Sequence, residues 1–431
     1  MLAPVIPAAT AEPAATGTAT GPGYSCRFCG HRLQDSFVDL GMSPLCQTHV
    51  EPHQLNAMEP FYPLHTYVCS QCFLVQLPEH VSPAAIFEDY AYFSSYSDTM
   101  LQHASSYVDM ITSRLGLGAS SSVVELASND GYLLQYFVKR GIPVLGIEPA
   151  KNVAAVAAGK GIPTVSVFFG RETAQRIAAE RGRADLILGN NVLAHVPDIN
   201  DFVGGMRVLL KPGGVVTMEF PHLQRLIEQN LFDTIYHEHF SYLSFTIVEQ
   251  IFAAQGLTLF DVDETPMHGG SIRIYARHQE DDSKPVTEAV TSRKAVEAAW
   301  GVTRFETYQA FGEKVKETKR RILQFFIDAQ QQGKRVAGYG APGKATTLLN
   351  YCGIREDFLM FTVDRSPYKQ GRFTAGTRIP ISSPERIREA KPDYLFVLAW
   401  NLLDEVMRQN AFIREWGGKF VCPLPELKIY D

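Results

Sequence analysis

The sequence predicts an α/β chain in which two doubly wound parallel sheets follow a small metal-binding module. Three observations carry that expectation. Between residues 121 and 278, short β-branched runs alternate with helical segments, the rhythm of strand–helix–strand units in a parallel sheet. The rhythm resumes after Lys334, with 336–339, 358–364 and 394–399 as further strands. Ahead of both lie two Cys-x-x-Cys pairs, Cys26 with Cys29 and Cys69 with Cys72.

A chain of 431 residues has room for two or three cores. Its 45% apolar and 20% charged residues are those of an ordinary globular protein. No run approaches the roughly 18 uninterrupted apolar residues of a membrane helix, so no membrane partner is expected. Residues 1–22 are rich in Ala, Thr, Pro and Gly and lack Lys or Arg. They read as a disordered tail rather than a secretory signal, and the expected location is cytoplasmic. A net charge of −6 without a long basic block argues against nucleic acid as a partner. The divisions expected are a tail (1–22), a metal module (23–85), a cofactor domain (86–280), a helical connector (281–332) and a second Rossmann-like domain (333–431). A monomer or weak homo-oligomer is expected.

Two Cys-x-x-Cys pairs can complete a tetrahedral thiolate shell around one Zn2+. Four thiolates leave no open position for water, so the site is expected to be structural, with Gly30 easing the turn after the first pair. Cys46 reads as a spare thiol. Residues 86–118 are helical in pattern but aromatic, with Phe87, Tyr90, Tyr92, Phe93 and Tyr96 close together. In the connector, Phe305, Tyr308, Phe311, Val315, Ile322 and Phe325 recur at helical spacing, which predicts a core stripe.

The cofactor domain opens with an apolar strand ending at Glu125, then a small-residue turn, Ala127-Ser128-Asn129-Asp130-Gly131. An acid at that strand end suits the ammonium of an amino-acid-bearing cofactor, and small turn residues admit it to the backbone. A second strand ends in Glu148-Pro149, about 20 residues on, where a carboxylate suits two ribose hydroxyls. A third runs into Asn190-Asn191. In this order the pieces point to a class I (Rossmann-like) fold binding S-adenosylmethionine rather than a dinucleotide.

Three further segments are distinctive: 190–198 (NNVLAHVPD), 232–240 (FDTIYHEHF) and 268–273 (HGGSIR). With the paired cysteines and the run Gly-Tyr-Gly-Ala-Pro-Gly-Lys at 338–344, they resemble the sugar C-methyltransferases that act on nucleotide-linked 4-keto-deoxysugars. The resemblance spans nearly the whole chain beyond residue 22. It implies methyl transfer from S-adenosylmethionine to carbon 3 of a dTDP-4-keto-6-deoxysugar. It also implies His239 as base, with Tyr236, Glu238, Asn191 and His195 around the substrate, and Tyr90 and His237 as substrate contacts. The chemistry agrees: a C–H bond beside a ketone needs a base in reach and donors for the oxygen that gains charge.

The turn at Gly340, with Asp364 ending the next strand, also satisfies a dinucleotide fingerprint. The family's account is that this lobe binds the nucleotide of the sugar, with glycine amides and Lys344 holding phosphate. O- or N-methylation of a related small molecule, and a zinc-containing nucleic-acid-modifying methyltransferase, remain as alternatives.

Overall fold

A computed structural model of the chain describes residues 23–431 except 88, 89, 91 and 92. The expected tail, 1–22, and Tyr92 lie outside the described residues. The strands in chain order are β1 (Asp35–Ser43), β2 (Tyr62–Val68), β3 (Val75–Gln76), β4 (Val123–Leu126), β5 (Val144–Ile147), β6 (Thr164–Val165), β7 (Ala184–Asn190) and β8 (Leu210–Pro221). They continue with β9 (Ser241–Tyr242), β10 (Leu257–Thr265), β11 (Ser271–His278), β12 (Val336–Tyr339), β13 (Thr362–Val363), β14 (Ile381–Ser382), β15 (Tyr394–Val397), β16 (Lys419–Cys422) and β17 (Lys428–Tyr430).

The central sheet runs β6-β5-β4-β7-β8-β11-β10, parallel except for β11, which pairs antiparallel with both neighbours. Every residue of β4 is buried, as expected for a parallel strand covered on both faces. From β4 the chain winds one way through β5 and β6 and the other way through β7 and β8. The crevice between β4 and β7 is therefore the switch point, where ligands of such sheets bind at the carboxyl ends of the strands. The C-terminal sheet, β14-β13-β12-β15-β16-β17, repeats the plan with its switch point between β12 and β15.

The segment read as a connector is more than a link. Its helix Glu306–Gln331 buries Tyr308, Phe311, Val315, Ile322 and Phe326 on one face. Phe311 stacks on Phe37 of β1 with centroids 4.7 Å apart, and the same core continues into Leu348 and Phe396 of the C-terminal domain. The metal module is likewise not closed by its own chain: β9, which directly follows the Tyr-His-Glu-His run, pairs with β3 as its fourth strand.

Candidate active site

The four cysteine sulfurs lie within 4.8 Å of one another, with Cys26–Cys72 and Cys29–Cys69 both at 3.6 Å. A tetrahedron with Zn–S of about 2.3 Å has edges of about 3.8 Å, so the donor set fits zinc. Gly30 takes φ 75° in the turn, and Gln76 donates its amide to Cys26 Sγ at 3.1 Å.

At the end of β4 the backbone enters the left-handed region at Ala127 (φ 53°), Asn129 (φ 49°) and Gly131 (φ 75°). A side chain at Gly131 would collide with Ile162. The turn is held from the next strand: Glu148 accepts from the Asn129 amide at 2.8 Å and from the Ala150 amide at 2.9 Å. Glu148 thus braces the turn. Pro149 follows it, its carbonyl accepting from Ser166 at 3.2 Å. Asp130 accepts from Lys160 at 3.0 Å and from Ser95.

Among the described residues, Glu125 Oε2, Asp130 Oδ1 and Asn190 Nδ2 are buried without a hydrogen-bond partner. Buried polar atoms are seldom left so. Burial, with the charges of Glu148 and Asp130 behind it, drives the Glu125 carboxyl well above its ordinary range. Clustered carboxyls with open acceptors fit a cofactor carrying an ammonium and a sulfonium.

The Tyr-His-Glu-His run arrives beside this cleft. His239 Nδ1 lies 2.8 Å from the Thr234 carbonyl, which can only accept. The proton therefore sits on Nδ1, and Nε2 keeps its lone pair. Around His239 stand the rings of Tyr236 at 4.0 Å and His195 at 4.6 Å. Burial, then the neighbouring His195, holds His239 well below the usual imidazole range, and burial takes His195 to about 4. Both are neutral at pH 7. The amide of Phe240 donates to the Ala194 carbonyl at 2.8 Å, tying the run to the loop after β7. Tyr90 donates to Glu238 Oε2 and Cys46 to Glu238 Oε1, each at 3.0 Å, and burial raises the Glu238 carboxyl. Asn191 Nδ2 lies 3.1 Å from His268 Nε2.

His237 does not join this group. Its Nε2 bonds the Pro63 carbonyl at 3.2 Å, and its ring neighbours are Tyr62 and His80 of the metal module. The run closes a turn in which the His239 amide donates to the Tyr236 carbonyl at 2.9 Å, which brings Tyr236 to His239 and leaves His237 facing the metal module. Cys46 is no spare thiol: it is buried against Glu238. Other groups near the cleft had no local signal, because their partners are distant in sequence: His103 and Arg273 on the buried Glu219, and buried Asp233, which accepts from Trp400 Nε1 at 2.7 Å.

In the C-terminal domain Gly340 takes φ 92°. Asp364 accepts from the Ala341 amide at 2.8 Å, the Ser366 amide at 2.9 Å and Lys369 at 3.4 Å. Lys344, in the first turn of helix Gly343–Cys352, lies over the Trp400 ring at 4.0 Å and donates to Asn401. Burial lowers its ammonium to about 8 and raises Asp233 to about 6. The aromatic segment spans both domains: Ser94 donates its amide to Asn129 Oδ1 at 2.9 Å, and Phe93 stacks on Tyr368 at 5.7 Å.

Sheet order, turn and carboxyl-lined crevice define a class I methyltransferase that uses S-adenosylmethionine. Family models match in the same sense: a zinc binding domain over residues 26–87, a methyltransferase domain over 100–262 and a C-methyltransferase C-terminal domain over 266–425. The chain is 36% identical to C-methyltransferase NovU of Streptomyces niveus, across 94% of this chain and 96% of that one. The chain belongs to that family of zinc-module C-methyltransferases. A ubiquinone biosynthesis O-methyltransferase of Pseudomonas aeruginosa is 32% identical over 25% of this chain and 47% of its own. Among solved structures, the PH0226 protein of Pyrococcus horikoshii OT3 matches with TM-score 0.37 at 14% identity, over 46% of this chain and 96% of that one. Among the described residues no helix is long and apolar enough to cross a membrane.

Proposed function

We propose that the protein methylates carbon 3 of a dTDP-linked 4-keto-6-deoxysugar, in the cytoplasm, through an enolate formed by His239. The observation that carries this reading is the hydrogen bond from His239 Nδ1 to the Thr234 carbonyl, 2.8 Å long, which leaves Nε2 as a free base in a buried pocket. His239 Nε2 takes the proton from carbon 3, and the C–H electrons move toward the ketone oxygen. Tyr236 and His195 flank the base, and the Tyr236 hydroxyl supplies a donor for that oxygen, where preorganised hydrogen bonds count most. S-adenosylmethionine supplies an electrophilic methyl group on a sulfonium, and carbon 3 takes that methyl as the sulfur keeps the bonding pair.

Glu125, Asp130, Glu148-Pro149 and Asn190, with the turn Ala127, Asn129 and Gly131, hold the cofactor. Glu238, fixed by Tyr90 and Cys46, lines the sugar pocket beside Asn191. The turn at Gly340 and the Lys344 ammonium hold the nucleotide diphosphate. The test is mass spectrometry with positional analysis after incubation with methyl-labelled cofactor and several dTDP-4-keto-sugars. Label on carbon 3 is expected. Label on oxygen or nitrogen would replace this reading with O- or N-methylation.

A further inference from the structure

The loop joining β10 to β11 holds a bulky residue in the left-handed region, His268 at φ 53°, followed by Gly269 and Gly270 at φ 87° and 119°. A residue other than glycine adopts that conformation at a cost, and such residues gather at functional sites. The two glycines are packed tightly. A Cβ on Gly269 would lie 2.7 Å from Leu231 and 3.0 Å from Trp400 of the C-terminal domain, and one on Gly270 would lie 2.8 Å from Arg225. The backbone of the loop is thus confined on both sides.

The His268 ring meets Asn191. Its Nδ2 can only donate, so His268 Nε2, 3.1 Å away, accepts and the ring proton sits on Nδ1. Burial, with Lys344 adding to it, takes His268 down to about 4, which keeps the acceptor available at neutral pH. Asn191 is itself left-handed at φ 55°, and its amide is anchored to the Glu219 carbonyl at 2.7 Å. One atom is left over. Asn191 Oδ1 is buried and has no hydrogen-bond partner among the described residues. His268 also adds to the depression of His239, so the loop and the base share one pocket.

We propose that His268 is a positioning residue for methyl transfer: by accepting from Asn191 Nδ2 it turns Asn191 Oδ1 toward the substrate, as the acceptor for a hydroxyl or amine beside the methylated carbon. The choice of a donor-bearing substituent rests on the sugar reading above; the His268–Asn191 link does not.

The variants separate the hydrogen bond from the backbone. His268→Asn tolerates the left-handed backbone, but its shorter amide falls short of Asn191. His268→Gln carries an acceptor near the position of Nε2. His268→Asn is expected to lower kcat by ten-fold or more, with S-adenosylmethionine affinity and zinc content unchanged, and His268→Gln to restore most of it. Adding His268→Asn to Asn191→Ala should cost nothing further, because both act through one contact. Additive losses, or no rescue by glutamine, would overturn the proposal. A second measurement needs no sugar: nitrogen NMR of histidine-labelled full-length protein should place the His268 proton on Nδ1 and show its Nε2 signal shifting in Asn191→Ala. If wild type methylates none of the 4-keto-sugars, the sugar reading fails. The NMR result then judges the link alone, and an Nε2 signal unmoved by Asn191→Ala overturns it.

Discussion

The two Rossmann-type turns of this chain are built alike and charged oppositely. In each, the acid that ends the second strand reaches back to an amide of the turn after the first: Glu148 to Asn129 at 2.8 Å, Asp364 to Ala341 at 2.8 Å. Beyond that brace they diverge. The central turn faces Glu125 and Asp130, with acceptor atoms left open. The C-terminal turn faces Lys344 and Lys369, and its acid is occupied by two amides and a lysine. In the proposed function the same backbone device serves a cationic ligand in one domain and an anionic ligand in the other.

The largest effect expected from that difference is at Lys344. Lys344→Ala should weaken dTDP-sugar binding by roughly 10- to 100-fold, the worth of a hydrogen bond to a charged group, and leave S-adenosylmethionine affinity unchanged. Calorimetry with each ligand checks both halves; an equal loss for both would break the division of labour. Next is Glu148→Ala, expected to weaken S-adenosylmethionine about ten-fold, because it removes ribose acceptors and the brace on Asn129 together. Unchanged affinity would mean that Glu148 serves the fold alone.

The carboxyl cluster makes the same point through pH. Burial raises Glu125 well above its ordinary 4.5, so the free protein keeps that proton in a window that starts near 4.5 and runs up to the raised value. Its contribution to stability is full below that window and is lost as pH climbs through it. A cationic cofactor favours the carboxylate, so binding expels a proton and affinity rises with pH across the window. Calorimetry in two buffers of different ionisation heat should register that release; proton uptake would contradict it. The smallest effect is at Asp364. Asp364→Asn should cost about 1 kcal/mol of stability, read as a small drop in Tm, without changing S-adenosylmethionine affinity. Micromolar NAD binding by wild type would reverse the reading of this turn.

What the sequence made legible was local. The cysteine pairs, the turn at 127–131 and the acid at 148 each carry their chemistry within a few residues, and strand alternation exposed both sheets. What stayed hidden was long-range. Cys46 meets Glu238, and Trp400 meets Asp233, through contacts spanning 192 and 167 residues, and no spacing rule reaches that far. His237 read as a substrate contact because the run is compact, yet it faces the Pro63 carbonyl. His268 stood in a quoted motif without a role, since neither its left-handed backbone nor its bond to Asn191 is written in the segment itself.

The claim on which the account turns is that His239 Nε2 removes the proton from carbon 3. With the S-adenosylhomocysteine product bound so that methyl transfer is blocked, wild type in deuterated water should exchange the carbon 3 hydrogen of the accepted dTDP-4-keto-sugar. His239→Asn should lose that exchange and roughly 100-fold or more of turnover, while still binding S-adenosylmethionine. Exchange and turnover at near wild-type rates in His239→Asn would contradict the assignment and move the base elsewhere in the pocket.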